Sequence, residues 1–196
     1  MATGNNLIVN PDNPLETVEN FLIDKLFENS AEILKYYEEN RDEITNDFLL
    51  YFTQLCEKGT QQQKTNIKAP ISYIHIGFLR SSFLTESYEF RLGLHNNKLW
   101  LDTTDTSVYW KADFIFKHVE PDMDEVQQML KPFQMLEYEI HEIKYNYTQC
   151  YLIPVAFQIV QDIMFEAVET SEILQLKFDE QMSVMFGGYM ERGEKI

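Results

Sequence analysis

The stretch Tyr88-Glu-Phe-Arg-Leu-Gly-Leu94 constrains this chain most, because its apolar residues fall on every second position. Successive side chains of a strand point to opposite faces. Tyr88, Phe90, Leu92 and Leu94 then line one buried face, and Glu89, Arg91 and Gly93 the other. Asn96-Asn97 can take the positive φ of a tight turn, and Leu99 and Leu101 resume the alternation, which predicts a hairpin over about residues 88–102. A lone hairpin is marginal in water and needs a third strand. Residues 71–79 are a candidate, but they are apolar on both parities, which fits a buried strand or a short helix.

Helical periodicity flanks this centre. Asn13-Pro14 is a helix start, a capping side chain before the residue best tolerated at the first helical position. Leu15, Val18, Leu22 and Leu26 follow at three- and four-residue steps, with Glu16 and Glu19 where the helix dipole favours acid. Ile33, Tyr37, Ile44, Phe48, Phe52 and Leu55 continue the period, with a break near Asn40, a stop at Gly59 and a polar connector over 60–66. Residues 108–119 read as a short helix packed on the hairpin. Glu120-Pro121 starts another helix and Pro132 ends it. Phe133, Leu136, Ile140, Ile143, Tyr147 and Cys150 then recur in steps of 3 and 4, the seam of a bundled helix. Pro154 breaks it, residues 155–168 suit a core helix, and a last helix runs from Ser171 to Gly187-Gly188.

These elements predict an α+β fold, predominantly helical, with N-terminal helices, a small central antiparallel β-sheet or hairpin, and a C-terminal helical bundle. Only 7 Gly and 6 Pro punctuate the chain, against 14 Phe, 11 Tyr and 2 Trp, which favours long helices and a folded body. A flexible polar arm is expected over 1–13 and a single globular domain over 14–196: helical at 14–58, sheet-containing at 59–119, helical at 120–190.

The longest uninterrupted apolar stretch is seven residues, Tyr151 to Phe157, where a spanning helix needs about 20, so no membrane association is expected. The start, Met1-Ala-Thr-Gly-Asn-Asn, lacks the basic region and apolar run of a secretory signal. Cys56 and Cys150 then read as free thiols in a reducing compartment, and the cytoplasm is the expected location.

The net charge of −16 is unevenly spread. Residues 1–57 hold 12 acidic and 3 basic groups, residues 58–118 hold 5 and 8, and residues 119–196 hold 15 and 5. Acid therefore flanks a mildly basic centre. Nucleic acid is disfavoured as a partner, because neutralising phosphates takes a basic stripe that eight scattered residues do not make. Solvated acidic helix faces account for the flanks most simply.

Signatures of catalysis and cofactor binding are missing. His75, His95, His118 and His141 form no His-x-x-x-His pair, and no Glu stands three residues before any of them, as a diiron bundle needs. Glu137 and His141, four apart, read as a surface pair. Two lone cysteines make no zinc cluster. Neither a glycine-rich phosphate loop nor a nucleophile elbow occurs, and Ser81-Ser82 read as a polar break. No metal and no cofactor are expected. The reading leans away from an enzyme, although dispersed groups can still meet in space.

The remaining signal lies in the centre. Arg80, Arg91, His95, Lys98, Trp100, Tyr109, Trp110, Lys111 and Lys117 combine the aromatic and cationic types found at binding hot spots. Trp100 and Trp110 either join the core under the hairpin or stand on an exposed recognition patch. Arg91 and Lys98 are the charges expected to be exposed. The expected function is a non-catalytic intracellular interaction or regulatory protein binding another macromolecule, most simply another protein, with homo-oligomers open as well. Two alternatives stand beside it. One is an acidic inhibitor or nucleic-acid mimic, and the other an enzyme or small-ligand-binding protein with a pocket between sheet and helices. A pocket holding His75, His95 or His141 would favour the last.

Overall fold

A computed structural model describes residues 10, 13–133, 137–191 and 193–196. Most of the arm expected over 1–13, and Leu136 of the seam, lie outside the described residues. Two long helices come first, α1 (Pro14–Glu39) and α2 (Arg41–Lys64). The Asn13 side chain accepts the Glu16 N–H at 3.3 Å, capping α1 as its sequence implies. Asn40 leaves helical geometry at φ −122 and donates its N–H back to Tyr36 and Tyr37, which makes the break between the two helices. α1 buries Val18, Phe21, Leu22, Ile33 and Tyr37; α2 buries Ile44, Phe48, Phe52, Leu55 and Cys56.

Gly59 does not end α2. A Cβ there would lie 2.6 Å from Leu94 Cδ1 and 2.9 Å from Leu176 Cδ2, so this glycine permits close approach. Gly59→Ala should therefore not deliver the gain of about 1 kcal/mol that removing a helical glycine gives, because two buried methyl groups must shift. A full gain in urea unfolding would mean that α2 stands farther from the sheet. The last turn of α2, expected as connector, carries Gln63. Its amide donates to the Lys177 carbonyl and accepts the Lys177 N–H, both at 2.8 Å.

Five strands form one mixed sheet, β1 (Ile71–Phe78), β2 (Glu89–His95), β3 (Ser107–Lys111), β4 (Phe178–Gly188) and β5 (Glu194–Lys195), in the order β3-β2-β1-β4-β5. Residues 71–78 are thus a strand, and the central one. β1 pairs antiparallel with β2 and parallel with β4. Ile74, Ile76, Phe78, Phe90, Leu92, Leu94, Trp110 and Phe186 point to one face and are buried. α2 packs on this inner face over β2 and β3, its Phe48 ring against Trp110. The fold is therefore α+β and predominantly helical.

Three local expectations are corrected. Leu99–Leu101 is a 3-10 turn, not a strand, and β2 pairs instead with β3. The Asp102 carboxylate accepts the Asn96 N–H at 2.9 Å and draws the chain into a loop. Residues 108–119 begin as strand, and only α4 (Asp113–Phe116) is helical before α5 (Val119–Leu130). The helix expected after Ser171 is a short 3-10 turn, Ile173–Gln175, followed by β4. Phe178, Met182 and Phe186 stand four apart and suit either element; pairing with β1 decides for strand.

Between these lie α3 (Arg80–Leu84), α6 (Glu137–Gln149) and α7 (Gln158–Ala167). Pro154 does not break the last two apart but sits in a π-turn, Leu152–Phe157, where the Ala156 N–H reaches the Tyr151 carbonyl at 3.0 Å. The stretch Glu137–Ala167 is long and apolar enough to cross a membrane by length and composition alone. Half of its apolar window is buried in the fold, and Val155, Ile159, Val160 and Ile163 are core residues. Ile140 and Ile143 pack against that core while half-buried, so the seam is shallower than its periodicity suggests.

Candidate functional site: the outer face of the sheet

The outer face carries the residues of opposite parity. His75 on β1 stands opposite Gly93 on β2, and Gly77 opposite Arg91. Gly93 is flanked along its own strand by Arg91 and His95, whose side chains fold over it, while the His75 ring folds over Gly77. A Cβ on Gly93 would fall 2.6 Å from Arg91 Nη1 and 3.0 Å from His95 Nε2; one on Gly77 would fall 2.5 Å from the His75 ring. The two glycines leave the space into which these side chains fold.

Trp100, from the 3-10 turn, roofs the cluster with its ring centroid 4.7 Å from His75 and 5.2 Å from His95. Tyr189, just past β4, continues the roof 5.3 Å from Trp100, and the Arg91 guanidinium lies over its ring at 4.9 Å. Both roof segments contain a non-glycine residue in the left-handed region, Leu99 at φ 49 and Met190 at φ 65. Each carries a backbone cost of about 1 kcal/mol.

A buried ion pair anchors the loop behind the roof. Lys68 Nζ lies 2.6 Å from Asp102 Oδ2, with the two side chains 0% and 2% exposed, and donates to the Leu94 and Thr104 carbonyls. Burial alone would raise the Asp102 carboxyl. The Lys68 ammonium and the Asn96 and Thr104 N–H groups outweigh it and hold the carboxyl below its usual range. Arg91 Nη2 donates to Asp105 at 2.8 Å.

Four buried polar atoms of the cluster have no hydrogen-bond partner: His75 Nδ1 and Nε2, His95 Nε2 and Arg91 Nη1. Each such atom costs about 1–3 kcal/mol of desolvation. The imidazoles respond by staying neutral. Burial, then His95 and Arg91, push His75 down to about 3. Burial, then Arg91 and Lys68, push His95 down to about 4, against the opposite pull of Asp102 and the Leu99 carbonyl.

The sign of the resulting pH dependence follows. Above about pH 6.5 both rings are neutral folded or unfolded and contribute nothing. As pH falls below that, the unfolded chain binds protons that the folded one refuses, so stability drops until the folded values are reached. Each ring adds a slope of roughly 1.4 kcal/mol per pH unit. The urea midpoint should therefore decline between pH 7 and 5, and a flat profile there would contradict neutral burial.

The structure gathers some of the expected site residues and scatters others. Arg91, His95 and Trp100 meet in the cluster. Tyr109 (47% exposed) and Lys111 lie on the same face along β3, and Lys98 is exposed in the turn before Trp100. Arg91 is not exposed as expected: its side chain is 8% exposed, with the Tyr189 ring against its guanidinium. Trp110 belongs to the core, its ring edge-on to Phe48 at 5.0 Å and its N–H on Asp47 at 2.9 Å. Arg80 pairs with Glu142 on α6, and Lys117 with Glu32 on α1, both away from this face. Lys68, Asp102 and Tyr189 are not among the residues the sequence singles out, and His75 enters there only as a possible pocket residue. The clue for His75 is its odd position between Ile74 and Ile76. Among the described residues, no group of three or more His, Cys, Asp or Glu is placed to hold a metal ion. No protein-family model, curated protein or solved structure matches the chain.

Proposed function

We propose that this chain is a non-catalytic binding protein of the cytoplasm that takes an acidic segment of another protein on the outer face of its sheet. The observation that carries this is the separation of charge between the β1–β3 part of the sheet and the elements around it. The acid-rich segments supply α1, most of α2 and α5 to α7, together with β4 and β5 at one edge of the sheet, while β1, β2, β3 and the loop that carries Trp100 all come from the mildly basic segment 58–118. A negatively charged segment would be repelled by the acid-rich elements and steered to the β1–β3 part of the sheet, which gives orientation as well as affinity. Exposed Tyr109 and Leu101 offer apolar contact beside Lys98 and Lys111, the mixture found at protein interfaces. A protein is favoured over nucleic acid because the overall charge of −16 opposes a polyphosphate. Both cysteines are free thiols, as suits a reducing compartment.

A photo-crosslinker placed at Tyr109, and separately at Glu38 on the exposed side of α1, tests this in the native cell. Tyr109 should capture a protein through an acidic segment, and Lys98→Glu with Lys111→Glu should abolish capture; Glu38 should capture nothing. Capture from Glu38 alone would move the binding face to the acidic helices and favour the inhibitor or mimic reading.

A further inference from the structure

We propose that the His75–Arg91–His95 cluster is a binding site for a small oxyanion, a carboxylate or phosphate group, closed over by Trp100 and Tyr189. The inference is independent of the protein partner, because the cluster lies beneath the roof and not on the exposed rim.

Several observations converge on it. A packing role alone would be filled better by apolar side chains, yet this patch holds a guanidinium and two imidazoles with four unpartnered buried atoms. Two of them, Arg91 Nη1 and His95 Nε2, lie beside one point above Gly93, and the His75 ring covers Gly77 on the neighbouring strand. Arg91 and His95 therefore approach one spot from two sides, with the His75 ring over Gly77 and 6.4 Å from that of His95, an arrangement suited to an anion with several oxygens. A cation is disfavoured there by Arg91.

The surrounding charges balance before any ligand enters. Arg91 is paired with Asp105, and Lys68 with Asp102. An incoming anion adds uncompensated negative charge, and the neutral imidazoles are the groups able to answer it. The Leu99 carbonyl beside the His95 ring favours a proton on the nitrogen facing it, which leaves Nε2 to take a second proton from solvent when an oxyanion arrives. Binding should thus be coupled to proton uptake. Arg91 and Lys68 oppose that protonation and Asp102 assists it. The left-handed residues next to Trp100 and Tyr189 place strain in the two segments that must part to admit a ligand.

Isothermal titration calorimetry on the whole chain tests the site, with inorganic phosphate and with acetate, at about pH 6 and in two buffers of different ionisation heat. The expected result is saturable millimolar or tighter binding of at least one of them, with net proton uptake. Response to phosphate, to acetate or to both names the oxyanion. Arg91→Lys should weaken binding tenfold or more, since a point charge cannot keep Asp105 and the ligand together. His95→Gln, a second variant in case the first does not fold, should diminish the proton uptake. No saturable heat from either anion, binding without proton uptake, or binding unchanged in a folded Arg91→Lys protein would each overturn the proposal. None of these outcomes affects cross-linking at Tyr109, so the two readings fail separately.

Discussion

Trp110→Ala should cost about 3–5 kcal/mol and Tyr109→Ala less than about 1, although the two residues are neighbours of the same chemical class. Strand geometry sets the difference. Trp110 points inward, where it is 1% exposed, stacks on Phe90 at 5.8 Å and meets Phe48 edge-on. Truncation leaves a cavity at the contact between α2 and β3 and leaves Asp47 without its indole donor. Tyr109 points to the outer face and is largely in water. For a chain of this size each lost kcal/mol lowers the melting temperature by roughly 2–4 °C, so Trp110→Ala should melt about 6–20 °C early. Comparable losses for the two variants would mean that β3 is out of register.

Asp102→Ala should be equally severe, about 3–5 kcal/mol, since it strands the Lys68 ammonium in the interior. The carboxylate also accepts two backbone N–H groups, from Asn96 and Thr104, so the loop that carries Trp100 loses its anchor as well. Replacing both partners, as in Lys68→Met with Asp102→Leu, should recover a large part of the loss, because no charge is then left buried alone. Thermal unfolding of the single and double variants checks this. A double variant as unstable as Asp102→Ala would show that the loop geometry matters more than the charge pair. A stable Asp102→Ala protein would show that the pair stands in water.

What the sequence disclosed was mostly local. The cap at Asn13 and the start near Glu120-Pro121 are written in adjacent residues; the cap appears as read, and α5 begins one residue earlier, at Val119. The alternation at 88–94 marked a strand because its polar and apolar residues separate cleanly by parity. Residues 71–78 were ambiguous for the opposite reason: β1 is the middle strand, and the roof makes its outer face nearly as dry as its inner one. β4 escaped because its apolar spacing also suits a helix, and its pairing partner lies about a hundred residues upstream. The site followed the same division. Parity put Arg91 on the face away from the core correctly, but nothing near it in sequence announces that Tyr189 comes back to cover it. Trp110 was the converse case, a hot-spot residue type used as core.

Ring-nitrogen NMR of the histidines across pH 3–8, without added phosphate or carboxylate, tests most directly whether the outer face holds a dry, polar, roofed cluster. The nitrogen shifts of His75 and His95 should keep the pattern of neutral imidazoles down to about pH 4, as their burial under Trp100 and beside Arg91 requires. Two rings that both gain protons near the ordinary histidine value of about 6.5 would stand in water, and the buried cluster would not exist as described.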